Sequence, residues 1–283
     1  MPETVRETCC ALSPWLHLYL DHPAPATTFA VSAPQLTIVS FVNEGVQSRR
    51  FGTFSTQTTR IAIDQLKQSL EDDKIGVSVK VVPYAVDIAK YKKNFSCPTI
   101  PQAENTFKFY YIGDINDRKN IESIIKCFHS EFHPDEDVSL ILKVSKFGKS
   151  SEELSSEMDN ALSEIKKRLR IYQDVSSFKK EILVTDRIVE EQLYGLHNYC
   201  DCFICPTHGE AWSIPSFDAM IFGNTPICSN FGGPKEFINK DNWRTGHLID
   251  GVYSTCDCSD AAFPDMFTAK EFWFQPCEKQ IRD

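Results

Sequence analysis

The sequence predicts an α/β fold in which a parallel sheet is flanked by helices, and three observations lead there. From Phe107 onward, short apolar runs alternate with longer stretches of helical periodicity, which is the pattern of βαβ units. Two of the runs, 138–144 (VSLILKV) and 202–205 (CFIC), are predominantly apolar, as buried strands are. The stretch 205–238, CPTHGEAWSIPSFDAMIFGNTPICSNFGGPKEFI, passes from a strand through a loop into a helix opened by Pro215 and closed by Gly223.

Residues 1 to about 35 are interrupted by Pro2, Pro14, Pro23, Pro25 and Pro34, which predicts irregular chain between short elements. Strands are expected at Leu36–Val42 and Phe51–Ser55. A helix follows at Thr59–Leu70, with Ile61, Ile63, Leu66 and Leu70 on its apolar side. The β-branched run Val77–Val82 is a strand stopped by Pro83. Cys97 to Glu104 is polar and proline-rich and reads as a linker.

Beyond the linker the pattern is regular. Strands are expected at 107–112, 138–144, 182–185, 202–205 and 226–229, and helices at 120–132, 151–172 and 188–198 and from Pro215. Asn120 is placed to cap the first of these helices, whose face carries Ile121, Ile124, Ile125 and Phe128. On the Pro215 helix, Ile214, Phe217, Asp218 and Ile221 share one face and predict its buried side. Asp218 is the misfit there, because a carboxylate on an apolar stripe needs a partner, such as a backbone amide or a basic side chain.

Composition sets limits. Apolar residues make up 42% and charged residues 24%, an ordinary globular balance that argues against disorder. A net charge of −9 argues against nonspecific binding to nucleic acid or to an anionic membrane. No apolar run reaches transmembrane length and no secretory signal is visible at the N-terminus. The eleven cysteines are expected as thiols in a reducing compartment. Cys200-Asp-Cys202-x-x-Cys205 invites a zinc reading, but on a strand Cys200 and Cys202 point to one face and Cys205 to the other. No metal site is expected.

Two constellations carry chemistry. In GDINDRKNI, 113–121, Arg118 and Lys119 directly precede a helix N-terminus, where exposed amides and the helix dipole favour an anion. A solvated basic pair is the plain alternative. In the second, Glu210 lies on the loop after a strand and Asp218 follows eight positions later, so two acids flank a site suited to sugar or ribose hydroxyls. Trp212, taken alone, reads as a core aromatic. His208 is close to Cys205 in sequence, which is no evidence of a nucleophile pair.

The segment from Gly209 to Phe237 resembles the donor-binding segment of retaining glycosyltransferases of family 4, with GT-B fold. That family shows Glu, seven residues, then Glu, followed by an alanine-methionine-like pair, a Gly-x-Pro turn and a Gly-Gly-x-x-Glu stretch. Here the pattern is carried by Glu210, Asp218, Ala219-Met220, Gly223, Pro226, Gly232-Gly233 and Glu236. Asp218 departs from the family's second Glu and shortens the reach by one methylene. The piece VKVVPYAVDIAKY resembles the family's crossing from the first domain into the linker.

The resemblance implies a GT-B chain with a partial N-terminal, acceptor-side Rossmann-like domain at 1–96 and a linker at 97–105. A nearly complete nucleotide-sugar-binding Rossmann-like domain would occupy 106–283. A closing helix that crosses back is missing or very short. It implies that Lys119 and Arg118 meet the donor diphosphate and Glu210 faces the donor sugar. The amides of Ala211, Trp212 and Ser213 would hold sugar or phosphate oxygens, and Asp218 would take the ribose hydroxyls. Lys119 and Glu210 are the candidate catalytic residues. Asp114 stands where the family often has an arginine, so Arg118 is a substitute, and Asp186 and Arg187 are candidates for base contact.

The implied activity is metal-independent, cytoplasmic transfer of a sugar with retention, from a UDP- or GDP-linked donor to a glycan, lipid-linked or other hydroxyl acceptor. No further cofactor is required. The competing expectation is a nucleotide-sugar-binding remnant, or a subunit that needs a partner chain; a GT-B epimerase or phosphorylase is a third.

Overall fold

The computed structural model describes residues 88–91, 95–97, 99–210, 212–256 and 272–283. Contacts divide the chain into two units, Met1–Val86 with Glu210–Trp212, and Asp87–Gly209 with Ser213–Asp283. Glu210 and Trp212 are the described residues of the first unit, and every element below belongs to the second. The strands expected at 36–42, 51–55 and 77–82 and the helix at 59–70 lie outside the described residues.

Six strands form one parallel sheet: β1 (Phe107–Asp114), β2 (Val138–Ser145), β3 (Ile182–Val184), β4 (Cys202–Cys205), β5 (Ile227–Ser229) and β6 (His247–Ile249). Their order is β3-β2-β1-β4-β5-β6. The helices are α1 (Ile88–Tyr91), α2 (Ile121–Glu131), α3 (Ser151–Leu169), α4 (Glu190–Tyr199), α5 (Ile214–Ile221), α6 (Pro234–Phe237) and α7 (Glu278–Arg282). This is the Rossmann-like α/β arrangement expected for the second domain of a GT-B chain. Strands β7 (Gly251–Thr255) and β8 (Phe272–Pro276) add an antiparallel ribbon that the sequence pattern did not predict.

The sheet is buried on both faces, which is why its strands read as apolar runs. Alternate residues go to opposite layers. Tyr111, Leu140, Leu142, Val144, Cys202 and Ile204 meet Ile124, Ile125 and Phe128 of α2 and Leu154, Met158 and Leu162 of α3. Tyr110, Ile141, Phe203 and Cys205 face Leu196 of α4 and Ala219 of α5. The expected linker contributes to this second layer, with Ile100 and Ala103 buried in it and the Tyr199 hydroxyl donating to the Ile100 carbonyl at 3.0 Å. Gly195 allows that approach, since a Cβ there would stand 2.1 Å from the Ser96 carbonyl oxygen.

Four expectations are corrected. Helix α3 ends at Leu169 instead of running to Tyr172, because Arg170 turns left-handed at φ 55°. Cys200 caps the end of α4 instead of lying in strand conformation on one face with Cys202, so it shares a layer with Cys205 and not with Cys202. Asn120 occupies the N-cap position of α2 but is left-handed (φ 53°) and makes no side-chain capping bond. On α5 the fully buried residues are Ser216, Asp218 and Ala219, while Ile214, Phe217 and Ile221 are half-buried. Small residues let α5 lie close to β4, and its end is a Schellman turn: Asn224 N–H donates to Ala219, Gly223 N–H to Met220, and Gly223 takes φ 90°.

The last elements close over α2. Ser123 Oγ donates to Glu278 Oε1 at 2.7 Å, and Arg282 Nε donates to Glu131 Oε2 at 3.1 Å. Among the described residues no helix is long and apolar enough to cross a membrane.

A buried charged group sits where α2 and α3 end and β3 begins. Glu181 accepts from His129 Nε2 and, at 2.6 Å, from Lys166 Nζ, and both Glu181 and His129 are only 4% exposed. Burial acts to raise the Glu181 carboxyl, but the bonds from His129 and Lys166 outweigh it and hold the carboxyl below its ordinary 4.5. A folded value below the unfolded one adds stability at neutral pH that disappears as pH falls below 4.5 through the lowered folded value. Glu181→Gln leaves the lysine charge buried without its counter-ion, and is expected to lose about 3 kcal/mol at pH 7 by urea denaturation. The gap from wild type should narrow as pH falls below 4.5.

Candidate functional site

All six sheet strands are parallel, so their carboxyl ends share one edge. From β1 the chain steps to β2 and β3, then crosses back to β4 on the other side of β1. The β1/β4 gap is therefore the topological switch point, where loops leave in opposite directions and a crevice opens. The β1–α2 loop carries Arg118 and Lys119, and the β4–α5 loop carries Pro206 to Ser213.

These two loops are bonded to each other. The Asn120 side-chain amide donates to the Pro206 carbonyl at 2.8 Å. Arg118 Nη1 donates to the Gly209 carbonyl at 2.5 Å, and the His208 N–H donates to the Arg118 carbonyl at 2.8 Å. Asn120 is thus a tie between loops, and its left-handed backbone, which asparagine tolerates well, aims the amide at β4. Arg118 and Lys119 sit in a 3-10 turn, Asp117–Lys119, capped by the Asn116 side chain accepting from the Lys119 N–H. Asp114 is turned toward β2, where its carboxylate accepts from Ser145 Oγ.

His208 anchors the β4–α5 loop to the ribbon. Its carbonyl accepts from the Phe274 N–H at 2.9 Å, and its Nδ1 lies 2.9 Å from the Phe274 carbonyl. A carbonyl only accepts, so Nδ1 carries the proton. Burial, the largest influence, pushes the imidazole below its ordinary pKa, and the ring stacks on Trp273 at 4.1 Å. The loop is further held by Ser229 Oγ donating to the Thr207 carbonyl at 2.6 Å. Cys205 Sγ faces Ser213 Oγ at 3.8 Å, not His208.

Ser213 opens α5 in the left-handed region, φ 64°, an uncommon conformation for a residue with a side chain. Its hydroxyl pairs with Ser216 Oγ at 2.5 Å. Its backbone N–H has no hydrogen-bond partner among the described residues. Asp218, one turn on, is 6% exposed and accepts from the Tyr91 hydroxyl at 2.8 Å. A tyrosine hydroxyl is thus one partner of the misfit carboxylate. Glu210 is half-buried and Trp212 buried, both in the first unit, and Ala211 lies outside the described residues.

On the β3 side, Ser151 Oγ donates to Asp186 Oδ1 at 2.8 Å. A polar hollow of ≈ 530 Å³, lined by Ser151, Ser155, Asp159, Asn160 and Thr185, opens beside it. Arg187 is exposed. The structure thus brings Arg118, Lys119 and the Pro206–Gly209 turn together, and places Asp186 two strands away. The reading of the sequence missed His208 and Tyr91 as organising residues and Asn120 as a tie. The only local signal was Asp218 itself, whose burial demanded a donor.

Asn120→Ala loses the Pro206 bond and places alanine in a left-handed conformation; about 2–3 kcal/mol of stability should disappear in urea denaturation. Asn120→Gly relieves the backbone part and should lose only about 1 kcal/mol.

Residues 92–255 match the family described as glycosyl transferases group 1. No curated protein sequence shows a significant match. Among solved structures, the chain is similar to the C-terminal domain of a glycosyl transferase group 1 family protein from Francisella tularensis, with 14% identity and a TM-score of 0.44 over 59% of this chain and 80% of that one. It is similar to HepE of Anabaena in complex with UDP-glucose, with 17% identity and a TM-score of 0.43 over 68% and 53%. It is also similar to sucrose-phosphate synthase from Thermosynechococcus elongatus, with 16% identity and a TM-score of 0.45 over 66% and 43%. The chain thus spans only about half of the last two. The family match covers more than half of the chain, and the protein belongs to the glycosyl transferases group 1 family.

Proposed function

We propose that the chain carries the donor half of a retaining glycosyltransferase, which moves a sugar from a nucleoside-diphosphate sugar to an acceptor hydroxyl. The observation that supports this reading most is the bonded pair of loops at the β1/β4 switch point. It sets the cationic Arg118–Lys119 turn beside the β4–α5 loop, where an anion gains from the turn, the helix N-terminus and the Ser213 amide together. UDP-glucose in the Anabaena structure is a donor of the class proposed.

In this reading Lys119 and the start of α2 stabilise the charge that builds on the leaving diphosphate. Arg118 shares in that and, through its bond to Gly209, holds the turn that leads into Glu210. Glu210 orients the sugar, the Ala211, Trp212 and Ser213 amides hold sugar or phosphate oxygens, and Asp218 receives the ribose hydroxyls. Asp186 and the hollow beside Thr185 offer polar contacts to the base. In this reading side chains and amides meet the charge on the leaving group, and the transfer is metal-independent and cytoplasmic. The acceptor class is a glycan, a lipid-linked saccharide or another alcohol.

Calorimetric titration with UDP, GDP and their sugar conjugates, followed by nucleotide release with and without simple acceptors, tests this. Wild type should bind one of the two bases. Lys119→Ala should weaken binding about tenfold or more, as expected for loss of a charge-assisted phosphate contact. Glu210→Gln should keep binding of the bare nucleotide and lose release. Binding with no release under any acceptor would replace transfer by the donor-binding remnant, and absence of binding to either nucleotide would remove both readings.

A further inference from the structure

This inference rests on the reading of Asp218 as the group that receives the nucleotide ribose. Asp218 is buried in α5 beside Ser216 and Ala219, where a carboxylate without donors is costly. Tyr91, 127 residues earlier, donates its hydroxyl to Asp218 Oδ1 at 2.8 Å. The tyrosine ring is itself held. It meets Tyr194 of α4 and Phe222 at the end of α5 edge-on, each at 5.5 Å, and Phe95 packs on the same two rings at 5.1 and 6.1 Å. A ring gripped on several sides points its hydroxyl in one direction, so Asp218 Oδ1 receives a directed donor from outside its own helix.

The chemistry of the donor matters. A lysine or arginine at this position would neutralise the carboxylate. A phenol donates one hydrogen bond and brings no positive charge of its own. Burial and the adjoining Asp218 push the Tyr91 hydroxyl well above its ordinary pKa, so it remains a donor throughout the neutral range. A vicinal diol binds a carboxylate through two O–H donors whose directions are fixed by the sugar ring, and such an arrangement depends on the orientation of the acceptor plane. The tyrosine belongs to α1, which begins two residues after the Val86/Asp87 boundary of the two units.

We propose that Tyr91 is a positioning residue for ribose recognition: its hydroxyl fixes the Asp218 carboxylate in the orientation that receives the 2′ and 3′ hydroxyls of a nucleoside diphosphate. The segment that leads into the second unit thereby sets the selectivity of the donor site for ribose. Its contribution is specific to the sugar of the nucleotide and leaves the phosphate contacts of the Arg118–Lys119 turn unchanged.

The test uses the full chain with UDP and GDP and their 2′,3′-dideoxy forms, by calorimetry, for wild type, Tyr91→Phe, Asp218→Asn and the double variant. Wild type should prefer the ribose form about tenfold, the equivalent of one good hydrogen bond to a charged group. Tyr91→Phe keeps the ring and its packing, so the dideoxy affinity should stay within about twofold while the ribose preference falls toward unity. In the Asp218→Asn background the same change should alter nothing further, because the tyrosine acts through the carboxylate. Equal weakening of both nucleotide forms by Tyr91→Phe would assign the tyrosine a purely structural role and overturn the proposal, as would an unchanged ribose preference. A wild type that binds both forms equally would overturn it while the donor-binding reading stands. A wild type that binds neither would overturn that reading and this proposal with it.

Discussion

The structure depends on the tie between the β1–α2 and β4–α5 loops. Parallel pairing of β1 with β4 involves only Phe109 with Cys202 and Tyr110 with Phe203, so the register alone does little to fix what the two loops do beyond the strand ends. The bonds Asn120–Pro206, Arg118–Gly209 and His208–Arg118 supply that constraint. Each satisfies a backbone group that would otherwise be stranded at a crowded edge, and each joins elements about 90 residues apart in sequence. Loops free to move independently would present cations and amides in many relative arrangements. Tied loops present one, and fixed donors need no reorganisation when an anion arrives.

Support for those loops comes from the layers beneath them. Asn224 Nδ2 donates to the Tyr110 hydroxyl at 2.9 Å and to the His197 carbonyl at 2.7 Å, and the Tyr110 hydroxyl meets His197 Nδ1 at 2.5 Å. Burial holds His197 down to about 3, so it is a neutral acceptor at physiological pH. This network joins β1, α4 and the turn after α5. Burial also pushes the thiols of Cys127 and Cys202 up to about 12, which leaves them packing groups and not nucleophiles. The charged group around Glu181 lies at the opposite, amino edge of the sheet, where it locks the ends of α2 and α3. Polar order thus stands at both ends of an apolar slab.

The sequence disclosed what is local or periodic. The strands at Phe107 and Val138, the helix from Ile121 and the strand-loop-helix around Pro215 follow from runs and spacing, because burial on one face leaves a trace every two or three to four residues. Strand β6 and the ribbon β7–β8 left no such trace. Tyr253 and Phe272 are 60% and 68% exposed, and β7 has no buried residue, so it lacks the inward-outward alternation that betrays a strand. The same limit applies to the site. Arg118, Lys119 and Asp218 stood out by charge in an apolar context, but their partners did not. A capping role for Asn120 was the natural local reading; only the position of Pro206, 86 residues away, shows why its backbone turns left-handed instead.

Asp218 illustrates the general point. A buried carboxylate announces itself in a helical pattern, physics requires that something donate to it, and one donor stands 127 residues earlier in the chain. The donor comes from α1, at the start of the second unit, and the rings that hold that donor come from α4 and the end of α5. One acidic residue therefore makes three separate segments interdependent. Removing one methylene relative to a glutamate shortens the reach of the acid, and the hydroxyl at Tyr91 meets it at the shorter distance. The length of Asp218 and the hydroxyl of Tyr91 form one geometric unit, and a change at either position alters the environment of the other.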